Sequence, residues 1–259
     1  MFVDSHCHLD FPDLIQNLPA ILQRMQDNQV SNALVVSVSL PQWPALLDLV
    51  NRHDHLHASV GVHPDYEDTP EPTVDELVRL AESSDKVVAI GETGLDYFRK
   101  SEPLEWQRER FRTHIRASRA SGLPLIVHTR AASEDTLRIM REEKAGDAGG
   151  VMHCFTESWD VAQAAMDLGF YISLSGIVTF KNASELQDVA RKVPLERLLI
   201  ETDSPFLAPV PYRGKTNDPS NVIHVAHKIA ELKGVSVNVV ANHSTENYFN
   251  LFNKIEAKL

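Results

Sequence analysis

Short apolar, β-rich runs recur along the chain, and each is followed by a stretch in which apolar residues return at helical spacing. The runs cover residues 2–8, 32–38, 57–63, 87–92, 124–128, 150–153, 170–175 and 198–203. Nearly continuous apolar strands separated by helices indicate strands buried on both faces, the pattern of a parallel sheet. Eight such units in 259 residues predict a single (β/α)8 barrel, a TIM barrel, spanning 1–259 as one domain. No Pro-, Ser- or Gly-rich linker and no break in composition divides it.

The helices carry their own punctuation. Thr73-Val74-Asp75-Glu76 reads as a capping box ahead of Leu77, Val78 and Leu80, and Ser133 with Glu134 and Asp135 opens another helix ahead of Leu137 and Met140. After Pro103, Leu104, Phe111 and Ile115 form an apolar stripe flanked by Glu105, Arg108, Glu109 and Arg112, until Gly122 ends the helix. Asp218-Pro219 reads as N-cap and first-turn proline of a helix reaching Gly234, and Ser236 opens a last helix to Phe252.

Composition narrows the class. A 43% hydrophobic content is enough for a full core. No apolar run approaches the roughly 18 residues of a membrane span, and the chain opens on a strand instead of a signal peptide, so a cytoplasmic protein with no membrane contact and no obligate protein partner is expected. Cys7 and Cys154 are expected as buried free thiols in a reducing compartment, although both stand beside histidines and could pair or bind metal. The formal net charge of −11 argues against a broad basic face for duplex DNA. Nucleic-acid chemistry stays open, because bound divalent cations become the largest local positive charges in a site.

The candidate chemistry begins at Asp4-Ser5-His6-Cys7-His8. Strand alternation turns His6 and His8 to one side about 7 Å apart, with Asp4 below them and Cys7 opposite. Ordinary polar residues at a strand end are the competing reading of an isolated His-x-His. Yet His63, Glu92, His128, His153 and Asp203 also end apolar runs, and a barrel gathers such ends at one mouth, where active sites form. By contrast His53, His55, His57, His114, His224, His227 and His243 fall on helices, before strands or on loops, and read as surface or core. The imidazoles of His6, His8, His128 and His153 with two carboxylates suit Zn²⁺ or Mn²⁺, and the carboxylates admit Mg²⁺. That is too many ligands for one open zinc. Two divalent ions about 3.5 to 4 Å apart would use them, with Glu92 as the bridge.

His6-Cys7-His8-Leu9-Asp10, Gly61-Val62-His63-Pro64, Gly91-Glu92-Thr93-Gly94-Leu95-Asp96, His128-Thr129-Arg130, His153-Cys154-Phe155 and Glu201-Thr202-Asp203-Ser204-Pro205 together resemble the TatD-type metal-dependent deoxyribonucleases, a branch of the amidohydrolase superfamily. The resemblance runs from Met1 to Phe252. It implies a similar barrel, divalent metals and phosphodiester hydrolysis in DNA, often as a 3′-to-5′ exonuclease, with single-stranded DNA the favoured substrate. It also implies that His6, His8, Glu92 and Asp203 hold one ion and Glu92, His128 and His153 the other, with His63 near the metals and the substrate phosphate. One departure is Asp218, where the family usually shows Glu before the proline; a capping role survives that change.

The expected reaction is metal-assisted attack of water on phosphorus, with Glu92, Asp203 and His63 catalytic and Asp203 accepting the water proton. Arg130, Arg213 and Lys215 are candidate phosphate contacts, against a competing reading as solvated loop cations. Asp4 and Glu201 are candidates to orient imidazoles or water from behind the ligands, with barrel packing as the alternative. Competing functions are hydrolysis of an amide or ester, an aminoacyl-tRNA ester included, and a catalytically idle nucleic-acid-binding barrel.

Overall fold

The computed structural model describes residues 1–98 and 104–255; Pro103, read above as a helix start, lies outside them. Strands β1 (Phe2–Cys7), β2 (Val30–Val35), β3 (Leu56–Val60), β4 (Val87–Asp96), β5 (Leu125–Arg130), β6 (Gly150–Met152), β7 (Phe170–Leu174) and β8 (Leu198–Ile200) lie side by side in chain order, every neighbouring pair parallel. Closure comes from β8 returning to β1. Asp203 N–H donates to His6 O at 2.9 Å, His8 N–H donates to Ser204 O at 2.8 Å, and Cys7 bridges Ser204.

Helices fill the crossovers, as parallel strands require. The Thr73 cap forms: its hydroxyl accepts the Glu76 N–H at 3.2 Å ahead of the Val74–Glu82 helix. Asp218 accepts the Ser220 N–H at 2.9 Å over a short 3₁₀ turn, Pro219–Asn221, that leads into the Val222–Lys233 helix. Inside the barrel Val3, Leu34, Val88, Ile126, Val151 and Leu199 pack together. Tyr248 and Phe252, from the last helix (Val237–Leu251) and its end, plug them from the side away from the strand C-termini. Among the described residues no helix is long and apolar enough to cross a membrane.

Several strand limits differ from the sequence reading. β2 lies earlier, at Val30–Val35 rather than 32–38, and β3 and β8 stop three residues short of His63 and Asp203. The main chain beyond these ends is held by single bonds, His63 N–H to Val38 O and Glu201 N–H to Leu174 O, which do not make a ladder. β4 is longer than expected and runs to Asp96, so Glu92 sits within it and not at its end. Gly91 and Gly94 permit this with φ of +135° and +138°, a region closed to most L-residues. A Cβ at Gly94 would stand 2.0 Å from His128 O, so only glycine allows β4 this close to β5.

Alternation also fails in β1. Its register against β2 shifts between Asp4 and Cys7, and Ser5 meets Ser173 of β7 at 3.2 Å. Asp4 therefore does not lie below His6 as alternation predicts. It accepts the Thr202 N–H and hydroxyl and the His6 N–H, tying β1 to the chain after β8.

Candidate metal centre

All the histidines and carboxylates singled out from strand ends converge, and Glu92 is their centre. The carboxylate is buried, and its two oxygens face different partners. Oε2 lies 3.3 Å from His6 Nε2 and 4.0 Å from His8 Nε2. Oε1 lies 2.7 Å from His153 Nε2, 3.2 Å from His128 Nδ1 and 3.3 Å from His63 Nε2. Asp203 completes the first group, its Oδ1 3.6 Å from His6 Nε2 and 3.5 Å from His8 Nε2. All of them except the fully buried His6 line a mouth cavity of about 700 Å³.

The far side of each ring decides which nitrogen carries the proton. His8 Nδ1 lies 3.0 Å from Val36 O, His128 Nε2 3.1 Å from Asp96 Oδ2, and His153 Nδ1 3.3 Å from Glu201 Oε1. Each acceptor draws the N–H outward and turns the lone pair of the other nitrogen toward Glu92, the arrangement of metal-ligating histidines. The lone pairs of His153 Nε2 and His128 Nδ1 then face each other at 3.4 Å, and that of His8 Nε2 faces His6 Nε2 at 3.3 Å, while His6 Nδ1 is buried with no hydrogen-bond partner. A cation between them converts repulsion into ligation, so the donor set fits divalent metal on both sides of Glu92. His6, His8 and Asp203 stand close enough to hold one ion, and His63, Glu92 and His128 a second.

His63 is the exception. Its Nδ1 accepts the Asp65 N–H at 3.0 Å, which leaves the ring proton on Nε2, pointing at Glu92 Oε1. It presents a donor where His8, His128 and His153 present lone pairs.

The electrostatics match this division. Burial alone would raise the Glu92 carboxyl, but the His153, His63 and His6 rings hold it well below the usual range. Asp203 is likewise held low against burial by His8 and His6. The carboxylates in turn draw positive charge onto His8, His128 and His153 despite burial, a demand that a proton or a divalent ion can meet. Burial pushes both thiols, Cys7 and Cys154, well up, and both cysteines are free as expected.

Of the predicted supporting groups, Glu201 reaches an imidazole, and its Oε1 also accepts the Cys154 N–H at 2.8 Å. Asp4 binds main chain and Thr202 and touches no ring nitrogen. Arg130 lines the cavity with its guanidinium 3.8 Å over the Phe98 ring. Arg213 and Lys215 do not line it and lie over Phe180 and Tyr212. Asp96 was missed as a partner of the site.

A second missed feature lies behind His63. Gln107, Arg110 and His114, spaced along the inner face of the Glu105–Ser121 helix, are all buried. Gln107 Nε2 donates to Pro64 O at 3.1 Å, Arg110 donates to His63 O and Tyr66 O at 3.0 and 2.9 Å, and His114 Nε2 accepts the Val62 N–H at 3.0 Å. Arg110 is neutralised by a two-bond pairing with Glu71. The loop carrying His63 is thus gripped along its main chain. Further strain is stored around the mouth, where Ala131, Cys154, Asp203 and Leu207 all have φ between +42° and +55°.

The family model of TatD-related DNases matches residues 3–253. The chain belongs to this family. TatD-type relatives include the uncharacterized metal-dependent hydrolase YcfH of Escherichia coli K12, 50% identical over 253 residues that cover 96% of this chain and 95% of that one. Among solved structures, the TatD homologue YjjV of E. coli K12 superposes with a TM-score of 0.89 at 29% identity, covering 97% of this chain and 98% of that one. A TatD-family hydrolase from Entamoeba histolytica gives 0.87 at 26% identity, covering 98% of each chain. The activity class shared with the TatD relatives is metal-dependent hydrolysis.

Proposed function

We propose that the chain is a divalent-metal-dependent phosphodiesterase that acts on DNA, most effectively as a 3′-to-5′ exonuclease on single strands, in a reducing, cytoplasmic compartment. The observation that carries the reading is the division of Glu92: one oxygen toward His6 and His8, the other toward His128 and His153. When bound, two divalent ions (Mg²⁺, Mn²⁺ or Zn²⁺) supply charge neutralisation at a phosphodiester and acidify water.

The chain's own residues then divide the work. Asp203 is held ionised at the mouth and takes the proton of the attacking water. His63, with its proton on Nε2, donates to a phosphate oxygen or to the leaving oxygen, and Asp65 N–H keeps that tautomer. Arg130, Arg213 and Lys215 serve the flanking phosphates from the rim.

The test strips metal with a chelator, restores Mg²⁺, Mn²⁺ or Zn²⁺ singly, and follows end-labelled single-stranded DNA. Metal-dependent shortening from the 3′ end is expected. Its absence, with turnover of an amide, lactone or aminoacyl-tRNA instead, would overturn the assignment.

A further inference from the structure

Seven large hydrophobic residues are exposed among the described residues, and five of them (Ile15, Phe98, Phe206, Val210 and Tyr212) belong to segments that follow β1, β4 or β8 at the mouth end of the barrel. Scattered exposed apolar residues need no explanation; their concentration around one opening does. Phe206 is the one that both lines the cavity and stands 52% exposed. Phe11, also in the cavity wall, meets it edge-on, ring centres 6.2 Å apart at 80°, and lies stacked on His8 at 4.7 Å and 20°. A line of aromatic rings therefore leads from a candidate metal ligand outward to solvent.

Phe206 is held in that position by the chain. Its N–H donates to Asp203 O at 3.0 Å, and the fully buried Asn217 side chain donates to Phe206 O at 2.8 Å and to Thr202 O at 3.1 Å. The next residue, Leu207, has a φ of +55°. A buried amide and a left-handed residue are spent on keeping a bulky apolar ring in water beside the site. Nothing in the hydrolytic chemistry above uses it.

We propose that Phe206, backed by Phe11, is a stacking platform for a nucleobase of single-stranded nucleic acid whose phosphate lies at the Glu92 centre. The inference rests on the proposed nuclease function and adds to it the reason that single strands are favoured: a base in a duplex is already stacked and paired and cannot turn onto the ring. Charge complementarity supports the same ligand. Arg130 shares the cavity wall and lies over the Phe98 ring, so an acidic chain places a cation and planar rings together where a polyanion with planar bases would lie.

The test compares a short oligothymidylate with an oligomer of the same length made of abasic residues, on metal-replete wild type, Phe206→Ala and Phe206→Trp. Phe206→Ala should lower kcat/KM on the oligothymidylate by about 5- to 100-fold, the usual range for one base stacked on an aromatic side chain. The loss on the abasic oligomer should be at least about fivefold smaller, and Phe206→Trp should restore turnover of the base-bearing strand. A strand carrying 2-aminopurine should be quenched on mixing with wild type before any cleavage, and Phe206→Ala should remove that phase. Equal losses on the two strands, or no loss on either with wild type active, would overturn the platform alone. A wild type that neither binds nor cleaves either strand would overturn the platform together with the nuclease reading.

Discussion

His153 Nε2 stands 2.7 Å from Glu92 Oε1, and the His153 ring lies parallel to His6 at 4.0 Å, so residues from β1, β4 and the end of β6 meet around one carboxylate. The contact is possible because β4 does not end at Glu92 but continues past it, which sets the carboxylate deep between the two imidazole groups. The expected consequences reach well beyond the ligands.

Asp96 accepts from His128 Nε2 and so sets which nitrogen faces Glu92. Asp96→Asn keeps the size but can present an amide N–H to that ring, favouring the wrong tautomer. Metal affinity should fall by about 10- to 100-fold, the usual effect of losing a group behind a ligand. Titration calorimetry with Mn²⁺ checks this, and unchanged affinity would remove Asp96 from the site.

Arg110 acts on the reaction only through the loop that bears His63. Arg110→Met should free the His63 and Tyr66 carbonyls, loosen the ring, and lower kcat by on the order of 10- to 100-fold with little change in KM. Glu71→Gln, at a half-exposed position, is the milder partner variant and should show a smaller loss in the same direction. Long-range ¹⁵N NMR of His63 reports the cause directly: Nε2–H in wild type, mixed tautomers in Arg110→Met.

His114 is fully buried, bonded at both nitrogens, and lowered by burial to about 4, against about 6.5 in an unfolded chain. Between those values the unfolded chain binds a proton that the folded protein excludes, so stability rises with pH across this window and is lost as pH falls. The effect is on the order of 3 kcal/mol between pH 7 and pH 4. Buried His57, also lowered to about 4, adds in the same direction. Urea unfolding at pH 7 and pH 5 should show a smaller loss in His114→Gln than in wild type; identical losses would rule out this source.

Gly94→Ala should be severe, because the added methyl meets the His128 carbonyl and the φ of +138° is itself unfavourable. A loss of several kcal/mol, or a retained fold with His128 displaced and metal affinity reduced, is expected. Denaturant unfolding with metal titration separates the two outcomes from a neutral result.

The barrel and the gathering of its imidazoles and carboxylates were legible because the apolar runs are long and six of the eight end at or beside such a residue. Strand ends were less legible, since Gly91 and Gly94 look like turn residues and in fact carry β4 onward to Asp96. That continuation hid Asp96, although it stands four residues beyond Glu92, a spacing that shares a face on an extended strand. Asp4 was placed on the cavity side by alternation, which the β1 register shift breaks. The buried stripe of Gln107, Arg110 and His114 was hidden among the flanking charges Glu105, Arg108, Glu109 and Arg112; its signal was three polar residues at helical spacing interleaved with Phe111 and Ile115.

The central claim is that Glu92 divides two cations between its oxygens. Anomalous diffraction at the manganese edge on crystals grown with Mn²⁺ tests it most directly. Two peaks about 3.5 to 4 Å apart are expected, one beside His6, His8 and Asp203 and one beside His128 and His153, both touching Glu92. A single peak, or peaks that leave Glu92 out, would contradict it.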